Sequence, residues 1–130
     1  DGLYDIKNKK LIQHHVKKKK LATVTAVSIP GRFGDLEIDH NDNVKNFSEK
    51  RSSKYVNDRI NGGFMVINSK VVKSIKNNQS NFESDTLTFL SKKKQVSAFI
   101  HDGFWQCMDT PREKILIEDL WRGNAPWKKW

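Results

Sequence analysis

At 130 residues the chain fits one domain and is long enough to bury a core without disulfides. It carries 24 Lys and Arg against 15 Asp and Glu, a formal net charge of +9, and a single cysteine. This composition excludes an internal disulfide, offers no apolar run long enough to span a membrane, and with the lone Cys107 fits a reducing, cytoplasmic setting.

The first residues, "DGLYDIKNKK", show neither a signal-peptide pattern nor an initiator methionine, so the chain is expected to start within something larger. Asp5 can cap a helix that runs to about residue 19, with Ile6, Leu11, Ile12, His15 and Val16 near one face. "LATVTAVSI" (21–29) is nearly continuous in apolar and Thr residues and reads as a buried strand. "PGRFGD" (30–35) is a loop, and "LEID" and "VKNFSEK" form two short strands joined by the turn "HNDN". "SSKYVNDR" is a polar loop. "INGGFMVIN" (60–68) is a strand with a glycine pair near its start. Ser69 can cap a short helix to about residue 76, and a second helix covers about 84–94. "VSAFI" (96–100) is a further strand. The last helix, "TPREKILIEDLW", has Thr110 at the cap, Pro111 at its first position and Glu113 at its third. Strands alternating with helices, plus one hairpin, predict an α/β fold with a mixed sheet and flanking helices. Strands 21–29, 60–67 and 96–100 are expected to share that sheet.

Lys17 to Lys20 and Lys92 to Lys94 form two runs that could neutralise phosphates. Only five of the 24 basic residues are Arg, the type suited to bidentate phosphate and base contacts. Both runs fall where a helix should end, and the helix dipole favours cations there. The reading is a solvated basic surface, with no nucleic-acid and no membrane partner.

"GFWQCMDT" (103–110) sets Asp109 beside Phe104, Trp105 and Met108. A carboxylate among apolar groups is costly unless a helix N-terminus, a basic partner or a metal compensates its charge. Asp109 lies between a strand and a helix start, where ligands bind in open α/β sheets. By spacing alone it simply favours the helix dipole, with Phe104 and Trp105 as core and Met108 as a gap filler. His14 and His15 point to different faces and do not chelate one metal together. His40 lies in a turn, His101 is expected to be solvated, and Cys107 reads as a small apolar filler. The tail with Trp121, Trp127 and Trp130 is expected to pack on its own domain or a neighbouring subunit.

"PGRFGDLEI", "FSEK", "INGGFMVIN", "GFWQCMDT" and "LWRGNAPWKKW" occur in this order across the chain. Together they resemble the C-terminal half of the glucose-1-phosphate cytidylyltransferases, a branch of the bacterial sugar nucleotidyltransferases. The resemblance covers essentially all 130 residues, and "DGLYDI" is similar to that family's Gly-Asp-Gly segment without its leading Gly. It implies the C-terminal, sugar-phosphate-binding part of a single nucleotide-diphospho-sugar transferase (Rossmann-like) domain, 1–130, without the N-terminal nucleotide-binding part. It implies formation of CDP-glucose and pyrophosphate from CTP and glucose-1-phosphate with Mg2+, for dideoxysugars of cell-surface polysaccharide such as lipopolysaccharide O-antigen. It also implies a homo-oligomer in the full-length form.

Carried over residue by residue, Asp1 and Asp109 match the family's two metal carboxylates, so metal and phosphates would compensate the charge of Asp109. Glu49 and Lys50 match the Glu-Lys pair that faces the sugar phosphate. Asn61, Gly62 and Gly63 match the segment lining the sugar pocket, and Gly34 stands in a similar setting. On local grounds Asn61 to Gly63 are equally a β-bulge, and Glu49 and Lys50 an exposed charged pair. The chain departs from the family in lacking a Gly-rich phosphate loop, and in Phe82, Asp85 and Thr86 of "FESDTLTFLS", which bear on local helix geometry. The fragment alone is therefore expected to be inactive. The alternative is a non-catalytic sugar-phosphate-binding or nucleic-acid-binding basic domain.

Overall fold

The computed structural model describes residues 2–28, 35–48, 59–75 and 81–129. The chain divides into two compact units, residues 1–27 with 61–130, and residues 28–60.

The larger unit is built on three adjacent strands in the order β5 (Arg59–Ile67), β2 (Ala22–Ser28), β6 (Val96–His101). These are the strands expected to share a sheet. β2 and β6 run parallel, from Ala22 opposite Val96 to Val27 opposite His101. β5 runs the other way beside β2, since Asn68 N–H donates to the Leu21 carbonyl while Gly62 lies against Val27. The sheet is therefore mixed, as the alternation of elements predicts. β2 is central, and its Ala22, Thr23, Thr25 and Val27 are buried. Its two buried threonines are satisfied: Thr25 Oγ1 donates to the Phe64 carbonyl, and Thr23 Oγ1 lies 2.8 Å from Ser97 Oγ and 2.9 Å from His15 Nδ1.

Helix α1 (Asn8–Lys18) precedes β2. Asp5 does not cap it. The N-cap is Lys7, which offers no side-chain acceptor, and the Asp5 carboxylate turns instead to His101. A 3-10 helix (Ser69–Ser74) follows β5, and its cap is Asn68 rather than Ser69, the Asn68 side chain accepting from Lys70 N–H. The next helix starts earlier than residue 84. Asn81 caps it by accepting from Glu83 and Ser84 N–H groups, a wide π turn covers Phe82–Leu87, and α2 proper is Thr88–Lys92. The π turn falls on the residues that depart from the family pattern. Val71, Ala22 and Leu90 form the buried cluster that joins these elements to the sheet.

Two three-residue strands have no counterpart among the expected elements. β1 (Gly2–Tyr4) and β7 (Trp105–Cys107) pair antiparallel, with Gly2 opposite Cys107 and Tyr4 opposite Trp105. Helix α3 (Pro111–Arg122) follows β7 and has the expected cap. In the smaller unit, β3 (Asp35–Ile38) and β4 (Val44–Ser48) form the expected hairpin. Its turn is held by Asp39 Oδ1, which accepts from Asn41 and Asn43 N–H at 2.8 and 2.9 Å. Those two bonds hold the Asp39 carboxyl below its ordinary range.

Candidate functional site

The candidate site is the passage from β7 into α3, residues 107–113. Thr110 Oγ1 accepts from Glu113 N–H at 3.2 Å, and Glu113 Oε2 accepts in return from the N–H groups of Thr110 and Asp109, both at 3.0 Å. The second Glu113 oxygen accepts from the Cys107 thiol at 3.1 Å. Glu113 is only 5 % exposed, yet its charge is well supported. Chiefly the Asp109 N–H, then the Cys107 thiol and Thr110, pull its carboxyl down to about 2. Burial, with the Glu113 carboxylate beside it, pushes the Cys107 thiol up. Cys107 is therefore a protonated donor to Glu113, more than the apolar filler expected.

The cost raised by the sequence falls on a different carboxylate. Asp109 is exposed, and Met108 beside it is 42 % exposed rather than filling a core gap. Asp109 therefore keeps its contact with water. Glu113 is the buried carboxylate, and the start of α3 compensates it.

Among the described residues, one group has ligand atoms close enough to meet a single ion: Cys107, Asp109 and Glu113, all within 4.8 Å of one another. The oxygens of Glu113 are occupied by two backbone donors and a thiol.

Asn61, Gly62 and Gly63 lie on β5 of the same unit. A Cβ on Gly62 would stand 2.9 Å from both Thr25 Oγ1 and Val27 Cγ1, so glycine here lets β5 close on β2. The Gly62 carbonyl accepts from Trp105 Nε1 at 3.0 Å, which ties β5 to β7 three residues before Met108 and Asp109 begin the turn. Gly63 has φ +83 with open space where a Cβ would be, and its N–H donates to Asn61 Oδ1. Asn61 Nδ2 donates to Glu83 Oε1 at 3.0 Å, a partner that no local pattern announced.

His101 is not solvated. Its side chain is 11 % exposed, and Nε2 lies 3.1 Å from both Asp5 Oδ1 and the Phe104 carbonyl. Both partners are acceptors, so Nε2 carries the hydrogen. Lys129 Nζ stands 3.7 Å from the other Asp5 oxygen. Gly103 fits because a Cβ there would run into Asp5 and the His101 ring. This knot fixes the chain between β6 and β7. The tail packs back on its own unit through Trp127, whose ring lies 5.5 Å from that of Phe104.

Of the residues singled out in the sequence, the structure therefore connects Asp109 and Gly62 through β7. Asp1, Gly34, Glu49 and Lys50 lie outside the described residues. Gly2, the residue after Asp1, pairs with Cys107, two residues before Asp109.

Residues 1–119 match the family model described as nucleotidyl transferase. Over its whole length the chain is 44% identical to the glucose-1-phosphate cytidylyltransferases of Salmonella typhi and of Salmonella typhimurium strain LT2, covering 50% of each. In fold it is similar to a Bacillus anthracis structure described as a glucose-1-phosphate thymidylyltransferase in complex with a sucrose. The TM-score is 0.59 at 18% identity, over all of this chain and 52% of that one. The chain thus spans about half the length of the curated relatives it matches. The expectation that this half is the C-terminal one is not supported by these matches. With 1–119 of its 130 residues matched, the chain belongs to the nucleotidyl transferase family.

Proposed function

We propose that these residues form part of an enzyme that makes CDP-glucose and pyrophosphate from CTP and glucose-1-phosphate with Mg2+, supplying dideoxysugar synthesis for cell-surface polysaccharide. The observation that carries the reading is the exposed Asp109 on a turn whose backbone is fixed by the buried Glu113. Identity of 44% to the two Salmonella cytidylyltransferases supports it.

The donors at this turn suit the ion. Mg2+ takes one or two protein carboxylates and completes its shell with water and phosphate oxygens. Asp109 is a hard oxygen ligand in contact with water, whereas Cys107 is a protonated thiol and Glu113 is held by its three donors. Asp109, with Asp1, would hold the ion; when bound it would neutralise phosphate charge and align the reacting groups.

In the reaction, a phosphate oxygen of glucose-1-phosphate forms a bond to the α-phosphorus of CTP, and the bond to the pyrophosphate oxygen breaks. The protein is asked mainly to position two anions and exclude disorder. Glu113 fixes where Asp109 stands. Glu49 accepts from sugar hydroxyls and Lys50 meets the sugar phosphate as a point charge. By their match to the family's sugar-pocket segment, Asn61, Gly62 and Gly63 take the sugar side.

The test is a chimera in which these 130 residues replace the matching half of the Salmonella typhi relative. The expected result is CDP-glucose formation that Asp109→Asn abolishes, because an amide supplies no negative charge to the ion. A folded chimera whose activity ignores Asp109→Asn would overturn the reading.

A further inference from the structure

The two lysine runs that the sequence separates meet at one end of the sheet. Lys17 and Lys18 close α1, and Lys19 and Lys20 lead into β2. Lys92 closes α2, and Lys93 and Lys94 lead through Gln95 into β6. β2 and β6 are adjacent and parallel, so the runs enter the sheet side by side; Leu21 and Ala22 N–H both donate to the Gln95 carbonyl, at 3.0 and 3.1 Å. The 3-10 helix joins them at the same end, tied by Asn68 N–H to the Leu21 carbonyl at 2.8 Å, and adds Lys70 and Lys73. All of these lysines are exposed except Lys20, which is half-buried.

Helix dipoles explain only part of this gathering. They favour cations in the last turn of each helix, which covers Lys17, Lys18, Lys73 and Lys92. They do not account for the lysines past the helix ends or for Lys70. Among the described residues none of these lysines takes part in an ion pair, and the one contact made is that of Lys93 Nζ, 5.0 Å from the centroid of the Phe89 ring. Like charges so close repel one another within the ~8–10 Å reach of a charge in physiological salt, unless an anionic surface faces them.

The apolar residues among the lysines select the kind of surface. Val16 is 67 % exposed, Val72 57 % and Phe89 50 %, and each lies on an element that carries the lysines. Exposed aliphatic side chains have nothing to contribute to a phosphodiester backbone. They do at the boundary between headgroups and acyl chains, where lysines reach anionic headgroups over apolar stems.

We propose that this end of the sheet is a peripheral docking surface for an anionic lipid bilayer. The lysines meet the headgroups, and Val16, Val72 and Phe89 enter the interface. This departs from the expectation of no membrane partner, and it involves no span: no helix among the described residues is long and apolar enough to cross a membrane. The bilayer would sit beyond the N-terminal ends of β2 and β6. In the chain Asp109 comes after the opposite end of β6, a strand of six residues that spans roughly 20 Å.

The test is co-sedimentation with vesicles of phosphatidylcholine containing phosphatidylglycerol, and with phosphatidylcholine alone. Binding is expected to the anionic vesicles only, with release on raising salt to about 0.5 M. Lys18→Glu with Lys93→Glu should weaken it by about tenfold or more, while the same charge change at the far end of α1, Lys9→Glu with Lys10→Glu, should weaken it much less. Val16→Asn with Val72→Asn should also weaken it without shifting the thermal melt. Equal binding to neutral vesicles, no binding to anionic ones, or equal losses in the two charge-reversal pairs would overturn the proposal. So would anionic-vesicle binding untouched by Val16→Asn with Val72→Asn. Salt-sensitive binding to duplex DNA without any to vesicles would replace the bilayer by nucleic acid.

Discussion

The N-terminal end of the β2–β6 pair gathers lysines, whereas at its C-terminal end His101 of β6 meets Asp5, and the chain that follows carries Asp109 and Glu113. Charges at the two ends are satisfied in different ways. The lysines stay in water on long stems. At the acidic end, Glu113 is locked by backbone N–H groups and a thiol, and the Asp5 oxygens stand 3.1 Å from His101 Nε2 and 3.7 Å from Lys129 Nζ. The difference shows that how a charge is coupled to the main chain, more than its sign or number, decides what it does. A carboxylate holding two backbone donors builds a turn. Asp109, on that turn, stays exposed to water.

The contrast can be broken most forcefully at Asp109. Asp109→Asn should lower CDP-glucose formation by about a hundredfold or more, roughly 3 kcal/mol in the barrier, as read from initial rates of pyrophosphate release by the chimera. Gly62→Ala comes next. Its added methyl meets Thr25 and Val27 of the central strand at 2.9 Å, and a denaturant titration should show a loss of about 1–3 kcal/mol. Thr110→Ala removes the cap acceptor and should cost about 1 kcal/mol in the same titration. The effect of Glu113 is present at neutral pH and is lost in acid. The Glu113 carboxyl is lowered from 4.5 to about 2 in the folded chain, so its contribution is complete above about 4.5 and is lost as pH falls toward 2. Urea midpoints of the parent and Glu113→Gln should therefore converge as pH is lowered through that window.

Much of this was legible in the sequence, and the failures have physical causes. β2, β6, the β3–β4 turn and the α3 cap are each written in a few neighbouring residues, so local rules find them. β1 and β7 are three residues each, too short for a period to show, and they exist only because each supplies the other's hydrogen bonds. Asp5 was assigned to the nearest helix because its true partner, His101, is distant in sequence. Asn68 takes the cap expected of Ser69, since Asn and Ser cap almost equally well, and Asn81 caps the next helix, which starts at Phe82, two residues before position 84. At the site, the Thr110–Glu113 box was readable, but the burial of Glu113 under the Cys107 thiol was not, because it depends on where β7 lies. The matches of Asp1, Gly34, Glu49 and Lys50 came from motif resemblance alone and fall outside the described residues.

The division of roles between Asp109 and Glu113 is best tested by carrying Asp109→Asn and Glu113→Ala through one thermal melt and one CDP-glucose assay in the chimera. Asp109→Asn should melt within about 0.5 kcal/mol of the parent, as surface substitutions do, and lose product formation. Glu113→Ala should melt lower, with the folded fraction keeping more product formation than Asp109→Asn. An Asp109→Asn protein that melts early and still makes CDP-glucose would contradict the assignment of chemistry to Asp109 and of structure to Glu113.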